Sequence, residues 1–360
     1  MDSLNNAAQQ LLGNALAANS QVSYRRSVSK FENFRSEFKL GAIWPASIQH
    51  VVHYVSFLSL KGLAASTIAT QLSAISYVHK INMWVDPTDN FIIRKLKEGC
   101  RRKDGRGDSR LPISLPILQQ LVLALPHICQ SSFESSLFRA AFCFAFFGFL
   151  RVGEFTAVSR GEGCDRCLAF SDVKVAQDQT YIELVIRFSK TDQIGSSSCV
   201  NVGVNPIAAI CPVNMVKGLI EYLKLRPAGE GPLFLHFGGD PLTRFQFDSM
   251  LKKGIRATGL SPEGFSSHSF RIGAATSAAV SGVPLDTIMA MGRWRSSAVR
   301  SYIRPHRIPQ QGRGWLRDNR LVKRLFTNGF FLLFSLFWFC FHFLFVTIVF
   351  CRSYEDVGDW

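Results

Sequence analysis

Tyr302 stands between Arg300 and Arg304 in the run Val299-Arg300-Ser301-Tyr302-Ile303-Arg304-Pro305. A phenol with a reference pKa of about 10 attacks poorly unless its proton is taken or its product charge is stabilised. Two flanking guanidinium groups are unusual company for a core aromatic. Eight residues upstream lies Trp294, in Met291-Gly292-Arg293-Trp294, and the bland alternative is a tyrosine packed on that indole in a short helix. Ser267-His268-Ser269-Phe270-Arg271 sets an imidazole and a guanidinium three residues apart, on one face of a helix, where both can meet one ligand. A charged planar fork beside an imidazole suits a phosphate; a capped helix start with a surface arginine is the alternative. Arg151 closes the apolar run Phe146 to Leu150, where an unpaired guanidinium would be costly to bury, and Glu154 can orient it. Lys190, in Phe188-Ser189-Lys190-Thr191-Asp192, ends a strand at a hairpin. A flexible ammonium there can reach a cleft as proton donor, or remain an exposed turn lysine.

Two regions must carry these groups. Residues 1–99 read as a compact helical domain. Tyr24, Val28, Phe31, Phe34 and Phe38 recur at helical spacing with Arg25, Arg26, Lys30 and Arg35 between them. A second helix spans Ile48 to Leu60, a third begins near Thr67 with Ser66 as its cap, and a fourth starts at Pro87 and ends near Gly99. Residues 100–111 contain CRRKDGRGDSR, a linker by composition. Its Arg101, Arg102, Lys103, Arg106 and Arg110 can track a phosphate backbone or simply be solvated. The second domain, 112–310, reads as helices over Pro116 to Leu125, Ser131 to Phe149, Ile207 to Leu225, Phe245 to Thr258, Ser269 to Ser281 and Leu285 to Met291. Between them Tyr181 to Phe188 alternates as a strand, with Val200 to Val204 as its hairpin partner. Gly273, Ala274 and Ala275 allow the helix bearing Arg271 to pack closely on what lies beneath it. The fold class is therefore mainly α with a small antiparallel β-sheet.

The chain of 360 residues carries a formal net charge of +15, and residues 325–360 contribute −2 of it, so the body is still more basic. Such a body usually meets nucleic acid, less often an anionic membrane, and sometimes nothing. Among nine cysteines one CxxC occurs, at Cys164 and Cys167. Cys199 and Cys211 do not complete a zinc set, so the cysteines read as ordinary thiols of a reducing compartment and no metal is expected. The first twenty residues lack a basic stretch followed by an apolar core, which predicts no secretory leader. Residues 311–360 form a basic segment and a Phe-rich tail. From Leu325 to Cys351 no Asp, Glu, Lys or Arg occurs, and ten of the 31 phenylalanines lie there. That length exceeds the ~20 residues of a membrane span, and Arg317, Arg320, Lys323 and Arg324 would keep the body cytosolic. The alternatives are a C-terminal anchor associating with a membrane through 325–351, or a tail foreign to the native protein.

In this order, Arg151, Lys190, His268-x-x-Arg271, Gly-Arg-Trp294 and Tyr302 resemble the tyrosine recombinases of the phage-integrase type, over roughly residues 20–310. The resemblance implies an N-terminal core-binding bundle and a catalytic domain that form a C-shaped clamp on double-stranded DNA. It implies that Arg151 and Arg271 bind the non-bridging oxygens of the scissile phosphate, that Lys190 protonates the leaving 5′-oxygen, and that His268 assists proton transfer. Trp294 takes a position where many members carry histidine and some tryptophan; its indole N–H can donate but is neither acid nor base. Tyr302 would form a 3′-phosphotyrosyl link, without metal or cofactor, in a homo-tetramer on paired sites. The wording FLRVGE, FSKTDQ, HSFRIGAAT and GRWRSSAVRSYIRP is similar to the eukaryotic mobile-element branch, DIRS-like and Crypton-like, which implies a nuclear protein. A fold kept for DNA binding without turnover, and a type IB topoisomerase, are the competing functions.

Overall fold

The computed structural model describes residues 1–41, 43–105, 107–159, 166–179, 181–189, 197–203 and 214–307. The chain divides into two compact units, Met1–Ser109 and Arg110–Trp360.

The first unit holds five helices: α1 (Asp2–Asn14), α2 (Ala18–Glu37), α3 (Ile48–Leu60), α4 (Ala65–Ile81) and α5 (Phe91–Asp104). Phe31, Phe34, Tyr54, Leu58, Ile68, Leu72, Ile75 and Ile93 form its core, the periodic apolar positions of α2 to α5. The helix α1, which the sequence reading did not include, buries none of its residues. Three expectations are corrected here. α4 begins at Ala65 with Ala64 at the cap position, not Ser66. The orphan N–H of Ala65 is met from outside the helix, by the Asp104 carboxylate at 2.6 Å. Pro87 opens only a 3₁₀ turn, Pro87–Asp89, and α5 starts after Asn90, whose side chain accepts from the Ile92 N–H at 2.9 Å.

The third correction concerns the linker. Cys100 to Asp104 are helix, because Arg101, Arg102 and Lys103 complete the last turn of α5, where cations suit the C-terminal dipole. The helix stops at Gly105, whose φ of +48° suits a residue without Cβ. The three basic side chains are exposed, whereas Arg110 is half-buried and opens the second unit. Arg106 lies outside the described residues.

In the second unit α6 (Leu115–Ile128), α7 (Ser132–Phe147), α8 (Met215–Leu225), α9 (Arg244–Ala257), α10 (His268–Val280) and α11 (Leu285–Met291) surround one core. α7 is buried on every side from Ala140 to Phe147, and packs against α6, α8 and α10. Its start is fixed by Ser131, which accepts from the Glu134 N–H at 3.1 Å, while the Glu134 side chain accepts from Gln130 N–H at 2.6 Å. α8 is tied down by Tyr222, whose hydroxyl accepts from the Leu235 N–H at 2.8 Å and donates to the Leu233 carbonyl at 3.0 Å.

The sheet has three antiparallel strands in the order β1 (Val173–Val175), β2 (Tyr181–Ile186), β3 (Ser198–Gly203). Leu184 faces Val200 and Ile182 faces Val202. Ile182, Leu184 and Ile186 point into the core and the intervening residues do not, as period-2 patterning requires. The expected hairpin is present. β1 is an addition that three residues were too short to signal. Lys190 and residues 204–213, the start of the expected Ile207 helix, lie outside the described residues. So do Cys164 and the 325–351 tail; among the described residues no helix is long and apolar enough to cross a membrane. Cys167 is disulfide-bonded, which corrects the reading of all cysteines as ordinary thiols. Pairing depends on a second sulfur within reach, a property of the fold and not of composition. Cys100 and Cys129 are free.

Candidate active site

The end of α7 sets the first arginine. After Gly148 the chain turns through Phe149 at φ +48°, a left-handed conformation that costs a residue with a Cβ about 1–2 kcal/mol. The buried Phe149 ring holds that turn, meeting the Trp294 ring edge-on at 6.1 Å. Arg151 emerges from it with its side chain 18% exposed. Its Nη1 donates to Glu154 Oε1 at 2.9 Å, and its backbone N–H donates to Glu154 Oε2 at 2.9 Å. The expected orientation of Arg151 by Glu154 is thus a closed 3₁₀ turn, Val152–Glu154, locked from both ends.

α10 supplies the next pair. Its N-terminus is fixed by Ser267, whose N–H donates to Asp248 Oδ1 at 2.8 Å. Its face lies against the segment before α6 so tightly that a Cβ on Gly273 would stand 1.7 Å from the Ile113 carbonyl oxygen. Close packing of this kind buries Arg271 completely. Arg271 Nη1 donates to the Phe149 carbonyl and Nη2 to the Gly292 carbonyl. The guanidinium lies 4.1 Å over the Trp294 ring and 5.8 Å from the centroid of the Tyr302 ring. One turn earlier, the His268 ring is 5.0 Å from that of Tyr302.

The third segment leaves α11 at Gly292. A Cβ there would fall 1.7 Å from the Trp294 ring, so only glycine lets the indole fold back. Arg293 takes the left-handed φ of +56° that reverses the chain. Trp294 packs on Tyr302 at 4.9 Å between centroids, so the bland tyrosine–tryptophan contact exists within the functional cluster. The Trp294 Nε1–H is buried and has no hydrogen-bond partner. Tyr302 follows the 3₁₀ helix Ser297–Ser301. Its carbonyl accepts from Thr276 Oγ1 on α10 at 3.0 Å, and Thr276 Oγ1 also accepts from the Arg304 N–H at 3.0 Å. Thr276 therefore pins the tyrosine segment to the helix that carries His268 and Arg271.

Three guanidinium groups, of Arg151, Arg271 and Arg293, surround the single carboxylate of Glu154. Burial alone would raise the Glu154 pKa, but Arg293, the Arg151 N–H and the charges of Arg151 and Arg271 bring it below the ordinary carboxylate value. Burial pushes Arg271 down to about 9, Arg151 and Arg293 push the same way, and Glu154 and Tyr302 oppose them. A guanidinium keeps its proton at neutral pH. The shift therefore reflects first the burial of this cation and then its cationic neighbours, both of which a bound anion would offset. Unpartnered buried donors remain at Arg271 Nε, Arg293 Nε and Nη1, and Trp294 Nε1. Such a cluster can bind a phosphate and stabilise charge developing on it.

Of the residues expected from sequence, Arg151, His268, Arg271, Trp294 and Tyr302 come together from three separate segments. Arg101, Arg102 and Lys103 belong to the other compact unit. Arg304, expected to lend charge to Tyr302, is instead buried, with Nε donating to the Ser301 carbonyl at 2.7 Å and Nη1 to the Arg110 carbonyl at 2.9 Å. Its fork braces the loop, while Arg300 is exposed. No role for Arg293 or Thr276 was expected from sequence. Arg293 was detectable as a charged residue beside Gly292 and Trp294; nothing in the sequence marks Thr276. Among the described residues no cluster of three His, Cys, Asp or Glu side chains could hold a metal ion.

Two family models match the chain. "Phage integrase, N-terminal SAM-like domain" covers residues 10–85, and "Phage integrase family" covers residues 118–307. An integrase/recombinase xerD homolog of Selenomonas ruminantium is 26% identical over 295 residues, 77% of each protein. The Tn1549 transposon integrase in complex with circular intermediate DNA shares the fold with a TM-score of 0.54 at 14% identity, over 86% of this chain and 96% of that one. The XerH site-specific recombinase bound to difH gives 0.53 at 16%, over 82% and 77%. A lambda integrase dimer bound to a core site gives 0.54 at 13%, over 83% and 75%.

Proposed function

The chain belongs to the phage integrase family, and from that premise we propose that Tyr302 is the nucleophile of its DNA strand exchange. The protein is a tyrosine site-specific recombinase that cuts and rejoins DNA. The observation that carries the roles is the convergence of His268, Arg271 and Trp294 on the Tyr302 ring, with unpartnered donors beside it.

In the proposed reaction the Tyr302 oxygen attacks the scissile phosphorus, and the bond from phosphorus to the 5′-oxygen breaks. His268 takes the phenolic proton, and Lys190 gives a proton to the departing 5′-oxygen. Arg151, Arg271 and the Trp294 N–H hold the non-bridging oxygens as charge builds on them. The 3′-phosphotyrosyl link conserves the energy of the broken bond, so a 5′-hydroxyl of another strand can reverse the step and restore the tyrosine. The two guanidinium groups and the ammonium supply the charge stabilisation.

The finer readings are also proposals. Paired-site exchange calls for a homo-tetramer on double-stranded DNA. The wording around Gly292 to Pro305, with Tyr302 eight positions after Trp294, supports descent from a DIRS-like or Crypton-like mobile element and a nuclear location. The exposure of Arg101, Arg102 and Lys103 supports their contact with the DNA backbone.

The decisive experiment incubates the protein with nicked, end-labelled duplexes and looks for label that stays with protein in denaturant. Wild type should form this adduct and Tyr302→Phe should not. Adduct formation unchanged in Tyr302→Phe would overturn the assignment, and wild-type DNA binding without any adduct would favour a fold kept for binding alone.

A further inference from the structure

Arg293 occupies the heart of the site without a part in the reaction above. Its side chain is 10% exposed, and Nη2 donates to Glu154 Oε2 at 2.8 Å. Nη2 also lies 3.4 Å from the Phe149 carbonyl. Each of these acceptors serves a second arginine: Glu154 accepts from Arg151, and the Phe149 carbonyl accepts from Arg271. Arg293 is thus joined to both proposed phosphate-binding arginines through one shared partner apiece.

Charge decides what that arrangement does. Arg151 and Arg271 against Glu154 alone leave a surplus of one positive charge, and Arg151 would be held as the sole cation on a buried carboxylate. With Arg293 the surplus is two, and Glu154 Oε2 also accepts from Arg293. Arg151 is the more exposed of the two Glu154 partners, 18% against 10%, so it is the one more open to solvent.

We propose that Arg293 is a positioning residue, which neutralises Glu154 so that Arg151 keeps its remaining donors and its charge for the scissile phosphate. This inference rests on the reading of Tyr302 as nucleophile. It predicts a specific rescue. Arg293→Met lowers the surplus to one, and Arg293→Met with Glu154→Gln restores it to two while leaving Arg293's own contacts absent.

The test compares wild type, Arg293→Met, Arg293→Lys and the Met/Gln double variant as full chains. Single-turnover adduct formation is measured on a pool of nicked duplexes of randomised sequence, alongside melting temperature and non-covalent DNA affinity. Arg293→Met should slow adduct formation on the order of 10²-fold, with a much smaller change in DNA affinity. The double variant should recover at least about tenfold of that loss, and Arg293→Lys, which keeps the charge, should stay within about tenfold of wild type. A double variant that melts like Arg293→Met and cleaves no faster overturns the proposal, as does an Arg293→Met rate equal to wild type. If Arg293→Met does not fold, Arg293→Lys decides: a loss as deep as that of Tyr302→Phe with a wild-type melting curve overturns it. A wild type that forms no adduct on the pool sinks the Tyr302 reading instead.

Discussion

Replacing Gly273 with alanine tests whether the packing of α10 positions the chemistry. The new Cβ would stand 1.7 Å from the Ile113 oxygen, 2.5 Å from its carbonyl carbon and 2.9 Å from its nitrogen. Real Cβ contacts almost never fall under 3.0 Å, so one backbone must move by about 1.3 Å. No flexible side-chain end is available to yield, since all three atoms are main chain. Overpacking of this kind costs about 2–3 kcal/mol. The same movement breaks the hydrogen bond from the Ile113 N–H to the Ser269 carbonyl, 3.0 Å long, at about 1 kcal/mol. The sum, about 3–4 kcal/mol, should lower the melting transition of the second unit by roughly 10 °C, read by scanning calorimetry. The catalytic effect should exceed the loss of folded protein. His268 and Arg271 ride on the displaced helix, and a misplacement of about 1 Å costs on the order of 10²-fold in rate. Adduct formation measured well below the transition, where the variant is folded, separates the two effects. A variant that melts within about 2 °C of wild type and forms adduct at its rate would refute the reasoning.

Three further outcomes follow from the structure. Glu154 has a folded pKa below its ordinary value of 4.5, so its contribution to stability is full above that value and lost as pH falls through the folded one. Glu154→Gln should therefore destabilise the protein at neutral pH by about 3 kcal/mol, through three uncompensated guanidinium groups, and flatten the acid limb of a pH–melting curve; an unchanged limb refutes the pairing. Alanine at Arg101, Arg102 and Lys103 together should weaken DNA binding and shrink the slope of log affinity against log salt by up to about 0.9 per lost phosphate contact, measured by fluorescence anisotropy. An unaltered slope would remove that helix end from the DNA interface. Trp294→Phe keeps an aromatic ring beneath Arg271 but deletes the unpartnered N–H, so it should slow adduct formation on the order of tenfold or more with little change in melting temperature. A rate equal to wild type would assign Trp294 to packing alone.

Sequence alone determined which chemistry was on offer, because it depends on residue types in a fixed order. Arg151, His268 with Arg271 one turn on, Trp294 and Tyr302 could be selected from local spacing, as could α11, the β2–β3 hairpin and the buried α7. These follow from periodicity and composition, which are short-range properties. The expected Ser66 cap failed because the Asp104 carboxylate that caps α4 is 39 positions from Ala65 in sequence, and local patterns carry no such information. The same limit hid Arg293. Its charge beside Gly292 and Trp294 was visible, but its role exists only where Glu154 lies 2.8 Å away across 139 positions. Arg304 shows the converse, since its place beside Tyr302 suggested an electropositive nucleophile while the fold turns its fork onto the Arg110 and Ser301 carbonyls. Tertiary structure decided which charges meet, which are spent on backbone and which are left for an anion. Those outcomes depend on distances between segments far apart in the chain, and burial makes each such distance matter by removing the water that would otherwise screen it.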